Sequence, residues 1–186
     1  MKHAAILLAS VLMLTACSSE PEISARNASV EDVAEQVAEA GGSDSFLRAG
    51  KWLTKATIEE LEAPGMPAGI ADNMRAMMDK KPGTESCMTE ADAKKPKTDF
   101  FSGNKDCRYD HFKMGGGVID AKMRCTAGGG TQVMTMAGDY KPDEYHMRMT
   151  TEMQRPAGAP AGAMGSMKMK MRVDGKRVGE CDGKTA

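Results

Sequence analysis

The cysteines are the residues of this chain whose chemistry is easiest to place. Cys87, Cys107, Cys125 and Cys181 form an even set, and Cys17 stands apart near the N-terminus. An even number of cysteines in an exported chain predicts two disulfides, with three possible pairings. A four-cysteine zinc site is the alternative, but the gaps are long and no Cys-x-x-Cys pair occurs, which disfavours it.

Methionine is the second chemically distinctive group, with eighteen residues against one Trp, three Tyr and four Phe. Three predicted strands, 131–139, 144–153 and 166–174, each place methionines on one face. We treat these methionines as a possible ligand face. They are Met134, Met136, Met147, Met149, Met167, Met169 and Met171, with Met153 continuing the second strand.

Three interpretations of these methionines stay open. They can fill a core with flexible thioethers, or form an adaptable apolar groove for a lipid or another hydrophobic ligand. They can also bind Cu(I), because thioether sulfur selects soft metals. Residues two apart on one strand are separated by about 6.8 Å, so a shared ion needs sulfur from a neighbouring strand. This spacing disfavours copper.

The N-terminus predicts export. A charged start, Met1-Lys2-His3, precedes an apolar stretch over 4–14 and small residues, which is the layout of a secretory signal. The apolar stretch is too short to span a membrane.

The segment Leu14-Thr15-Ala16-Cys17 resembles the lipobox of bacterial lipoproteins. The resemblance implies a diacylglycerol on the Cys17 thiol, cleavage before Cys17 and acylation of the new amine, for example by palmitate. Ser18, in place of Asp, resembles lipoproteins that are passed to the outer membrane. The alternative is a thiol left in an ordinary signal peptide.

A lipidated Cys17 makes the membrane the first expected partner, because two or more acyl chains anchor a protein stably. We therefore expect a lipid-anchored protein of the cell envelope, at the outer membrane and facing the periplasm. The whole chain has a formal charge of −1, which gives no electrostatic argument for nucleic acid.

The chain divides by composition into four parts. Residues 1–16 are predicted as signal peptide, 17–28 as lipidated Cys and flexible tether, 29–48 as a short helix and linker, and 49–186 as a disulfide-stabilised β domain. Ser29 is a predicted N-cap for a helix over 30–40.

Alternating apolar residues predict mostly strands after residue 49. The exceptions are a helical stripe of Ile70, Met74, Met77 and Met78 between strands 50–59 and 84–88, and a helical turn capped by Thr89. We expect a mainly β fold: an antiparallel curved sheet or partly open barrel with one or two short accessory helices.

Two hairpins follow from the turn signals. A turn at Gly115-Gly116-Gly117, symmetric about Gly116, places Cys107 opposite Cys125, which leaves Cys87 to pair with Cys181. The second hairpin, turning at 141–143, is predicted to pair Met136 with Met147 and Met134 with Met149. A further turn is predicted at Asp174-Gly175.

Several short motifs in series resemble the family catalogued as domain of unknown function 3617. They are Gly50-x-Trp52, Pro64-Gly65-Met66-Pro67, Cys87-Met88-Thr89, Asp106-Cys107, Cys125 and Gly179-Glu180-Cys181. The resemblance spans about residues 49–181 and implies an exported protein of Gram-negative bacteria with no assigned activity.

The sequence contains no recognisable catalytic motif. His111, predicted on the Cys107 side of its strand, and His146, predicted opposite the methionines, lie in no nucleophile motif. We therefore expect a non-enzyme without cofactor that binds a hydrophobic ligand or envelope protein, or is structural. The alternative is a periplasmic Met-rich copper-binding protein.

Overall fold

Within the residues that it describes, the computed structural model contains one open antiparallel β-sheet, as predicted, and three short helices. It describes residues 21–41, 46–65, 67, 69–94, 106–127, 130–154 and 166–181.

Eight strands form the sheet. They are β1 (Ile23–Ser29), β2 (Gly50–Glu62), β3 (Thr84–Met88), β4 (Cys107–Gly115), β5 (Val118–Ala127), β6 (Gly130–Lys141), β7 (Glu144–Gln154) and β8 (Met167–Gly179). Their order across the sheet is β1-β4-β5-β6-β7-β8-β2-β3, and every neighbouring pair is antiparallel. The outer strands β1 and β3 do not pair with each other, so the sheet does not close.

The three helices are α1 (Val30–Glu39), α2 (Ile70–Asp79) and α3 (Glu90–Lys94). Ser29 caps α1 as predicted: its Oγ accepts from the Asp32 amide, and the Asp32 carboxylate accepts from the Ser29 amide. Thr89 and Asp92 make the same reciprocal contacts at α3.

α2 forms where the apolar stripe predicted it, beside β2, but the stripe is not covered. Ile70 and Met74 are each 41% exposed and Met77 is 66% exposed. The helix therefore contributes no buried residue to the core.

The main core lies at the β1 end of the sheet. Val30 and Val33 of α1, together with Phe46, cover a face made by β1, β4, β5 and β6. Tyr109 and Phe112 meet edge to face in this core, and Phe46 meets Tyr140 in the same way. Apolar burial is thus concentrated on aromatic and aliphatic side chains.

Residues 23–28, predicted as tether, instead form most of β1 and pair with β4. This strand is hard to predict from the sequence, because an edge strand with one covered face needs few apolar residues. Ile23 and Ala25 are its buried side chains. The predicted tether therefore does not extend over residues 23–28, and its part at residues 17–20 lies outside the described residues.

Both predicted disulfides are present, Cys107–Cys125 and Cys87–Cys181. Cys107 lies opposite Cys125 and Tyr109 opposite Met123 as expected, but the turn is the two residues Gly116 and Gly117. The difference is absorbed by a β-bulge at Asp110, which has no opposite residue on β5.

The bulge also corrects the prediction for His111. After the extra residue, Phe112 takes the buried position, and His111 moves to the polar face with Asp120. His146 lies on the polar face as predicted.

Two further predictions about register were wrong. Lys141 pairs with Glu144 around Pro142-Asp143, so Met136 lies opposite Met149, not Met147, and Met134 lies opposite Thr151. The shift is two residues, so every methionine keeps its predicted face.

The predicted turn at Asp174-Gly175 is also absent, because β8 continues through it. A Cβ at Gly175 would lie 2.2 Å from the Tyr145 ring. The glycine is therefore needed for side-chain packing and not for a turn.

Candidate ligand-binding face

The methionines of β6, β7 and β8 form one surface, which we call the methionine face: Met134, Met136, Met147, Met149, Met153, Met167, Met169 and Met171. Antiparallel pairing sets them in rows across the strands. One row contains three methionines, because Met149 lies opposite both Met136 on β6 and Met171 on β8. Opposite residues have Cα atoms about 4.5–5.5 Å apart, so their side chains are direct neighbours.

The adjacent rows are less uniform. Thr151 separates Met134 from Met169, and Met153 lies opposite Met167 on one side and Gln132 on the other. Met147 lies opposite Val173. Four rows of predominantly apolar side chains therefore cross three neighbouring strands.

All eight methionines are half-buried, whereas Met123 in the main core is only 4% exposed. Met134, Met136 and Met147 border that core, so the two surfaces are continuous. The flexible thioethers are thus placed beside the core and are not its main filling.

The opposite margin of the face is formed by β2, where Ile58 and Leu61 lie next to Met171 and Met169 and are buried. At one end, Trp52 stacks on Tyr145 with ring centroids 5.6 Å apart. The Tyr145 hydroxyl lies 3.1 Å from the Thr54 hydroxyl. The face therefore has apolar sides and an aromatic end.

A small cavity lies where the methionine face meets the core, lined by Tyr109, Ala121, Met123, Met134 and Met136. Its volume is about 10 Å³, which holds about one water molecule. A lipid-sized ligand would have to lie on the face and could not enter this cavity.

The other side of β7 and β8 is charged. Lys170 forms an ion pair with Glu60, and the hydrogen bond from Lys170 lowers the pKa of the Glu60 carboxyl. The His146 Nδ1 lies 2.8 Å from Asp174 Oδ1, and this contact raises the pKa of His146. The sheet thus separates a polar face from an apolar one along the same strands.

The larger cleft, of about 750 Å³, lies beside the Cys87–Cys181 disulfide. Its two guanidinium groups are already engaged: Arg48 with the Asp143 carboxylate at 3.0 Å, and Arg177 with the Ala49 carbonyl at 2.8 Å. Arg177 also contacts Glu180. This arrangement stabilises the end of the sheet, and both cationic side chains of the cleft already have partners within the protein.

Gly50 is part of the same arrangement. A Cβ at this position would lie 2.4 Å from Arg177 Nε, and its φ is +144°. Only glycine fits there without displacing the arginine.

No group of three or more His, Cys, Asp or Glu side chains that could hold a metal occurs within the described ranges. The contacts of His111 and His146 are each with one carboxylate, Asp120 and Asp174. Among the described segments, no helix is both long and apolar enough to cross a membrane.

The structure brings the predicted methionines together but leaves Cys17 outside the described residues. Sequence reasoning missed Ile58 and Leu61 as the margin of the face and Thr151 as the break in one row. Alternation along each strand identifies a face, but it carries no information on which residues are opposite each other.

A family model described as "Protein of unknown function (DUF3617)" matches residues 47–181. No curated protein and no solved structure matches the chain.

Proposed function

This chain belongs to the DUF3617 family, and we propose that it is a non-enzymatic lipoprotein that binds a hydrophobic ligand. We propose that Cys17 carries the lipid anchor and holds the domain at the outer membrane, facing the periplasm. We propose the methionine face as the binding surface.

One observation carries this proposal: eight methionines share one face of three adjacent strands and are half-buried. Methionine is flexible and polarizable, so such a surface adapts to chains of varied shape. Covering apolar area contributes about 25 cal/mol per Å².

The charged side of the same strands supports the choice of face. On β8, charged residues alternate with the methionines: Lys168, Lys170 and Arg172 alternate with Met167, Met169 and Met171. The surface opposite the methionines is therefore charged and suited to contact with water. A hydrophobic ligand is therefore expected on the methionine side only.

A matched pair of substitutions tests this assignment. Met149→Glu places a carboxylate at the centre of the methionine face, whereas Thr150→Glu places one on the polar face opposite Lys170. With the chain from Ser18 onward, we expect Met149→Glu to weaken binding of the apolar dye N-phenylnaphthylamine and Thr150→Glu to leave it unchanged. Equal binding by both variants would contradict the proposal, provided that both retain their disulfides.

A further inference from the structure

We propose that Met136, Met149 and Met171 form a thioether site for one Cu(I) ion. The site lies within the methionine face but does not rest on the proposed function, because it requires sulfur atoms and not only apolar area.

The spacing argument against copper applies to one strand and not to this row. Sulfurs on one strand start from Cα atoms about 6.8 Å apart. Met149, however, has Met136 and Met171 directly opposite on its two sides, with Cα separations of about 4.5–5.5 Å. Three rotatable bonds per side chain then let the outer sulfurs lean towards the central one.

The surroundings of the row favour a soft, singly charged ion. Its continuations are Ala121 on β5 and Ile58 on β2, neither of which offers a donor atom. With sulfur as the only side-chain donor in the row, Cu(I) is preferred over divalent ions that favour oxygen or nitrogen.

The neighbouring rows contain fewer consecutive methionines than the row of Met136, Met149 and Met171. Thr151 interrupts the row between Met134 and Met169, and the Met153–Met167 pair ends at Gln132. Among the described residues, only one row therefore has three thioethers in succession.

Cu(I) titration of the full mature chain in detergent micelles, without oxygen and against a chromophoric Cu(I) chelator, tests the site. We expect about one Cu(I) per chain. Met149→Leu should lower the Cu(I) affinity by more than about tenfold, because losing a residue that only orients a metal ligand already costs about that much. Met153→Leu is the matched control and should bind as the unmodified chain does. Leu retains the apolar volume of Met, so both variants are expected to fold.

A gain-of-function variant provides the second test. Thr151→Met completes the row between Met134 and Met169, and we expect it to raise the capacity towards two Cu(I) per chain. The inference is overturned if Met149→Leu binds Cu(I) as well as Met153→Leu, or if the unmodified chain binds none.

The outcome is separable from the proposed function. An unmodified chain that binds N-phenylnaphthylamine but not Cu(I) would contradict the copper site alone. An unmodified chain that binds Cu(I) but not N-phenylnaphthylamine would contradict the hydrophobic-ligand proposal alone.

Discussion

At the residue scale, small and polar side chains decide where the larger ones can lie. Gly175 lies opposite Tyr145 on β7 and leaves room for its ring, which stacks on Trp52 and reaches the Thr54 hydroxyl. The aromatic end of the methionine face thus depends on the absence of one Cβ atom.

We expect Gly175→Ala to lower the free energy of unfolding by about 1–3 kcal/mol, because the added methyl group overlaps the Tyr145 ring. Urea unfolding followed by Trp52 fluorescence measures the loss. In a Tyr145→Ala background the same substitution should cost much less, since the two residues are in contact. Equal costs in both backgrounds would show that Gly175 acts through its backbone.

His146 gives the sheet a pH-dependent contact. Its hydrogen bond with Asp174 raises the pKa of His146 above 6.5. The stabilisation is therefore complete below the unfolded-state pKa and is lost as the pH rises through the folded-state value. We expect NMR titration of the imidazole to give a midpoint above 6.5 and the urea midpoint of His146→Gln to approach that of the unmodified chain at alkaline pH. An imidazole midpoint at or below the ordinary value would contradict this.

At the element scale, the β4–β5 hairpin shows how a bulge and a turn together fix a disulfide. Asp110 is the unpaired residue that reconciles a two-residue glycine turn with Cys107 opposite Cys125. A turn symmetric about Gly116 predicts the correct cysteine pair. The observed turn is one residue shorter than that, and the bulge at Asp110, which the sequence did not predict, compensates for the difference.

Single-residue deletions test this register. Deleting Asp110 should remove the bulge and keep the Cys107–Cys125 disulfide, at the cost of exposed ion pairs with Arg124 and Lys122 worth up to about 1 kcal/mol each. Deleting Arg108 should instead turn Cys107 to the wrong face and prevent the disulfide. Peptide mapping without reduction distinguishes the two. Loss of the disulfide on deletion of Asp110 would contradict the assignment of the bulge.

The strands with regular alternation, such as β2 and the first half of β8, could be predicted from the sequence. β1 could not be predicted, because its segment is mostly polar and only Ile23 and Ala25 are buried. The opposite partners of the methionines could not be predicted either, since the turn at Pro142-Asp143 shifts the register by two without changing the face.

At the scale of the whole molecule, the two disulfides secure opposite ends of the strand order. Cys107 and Cys125 are 4% and 6% exposed in the main core, whereas Cys87 and Cys181 are half-buried where β3 meets the C-terminal segment. Access therefore differs between the two bonds.

We expect a mild thiol reductant to open Cys87–Cys181 first, because attack by a thiolate requires access to sulfur. Alkylation at increasing reductant concentration, followed by mass spectrometry, gives the order. Earlier alkylation of Cys107 and Cys125 would contradict the arrangement of the core.

Native mass spectrometry of the gently purified chain from Ser18 onward shows whether the methionine face binds a hydrophobic ligand. We expect an adduct of lipid mass on the unmodified chain and on Thr150→Glu, and its loss from Met149→Glu. A bare mass for the unmodified chain, or an adduct that Met149→Glu retains in full, would contradict it.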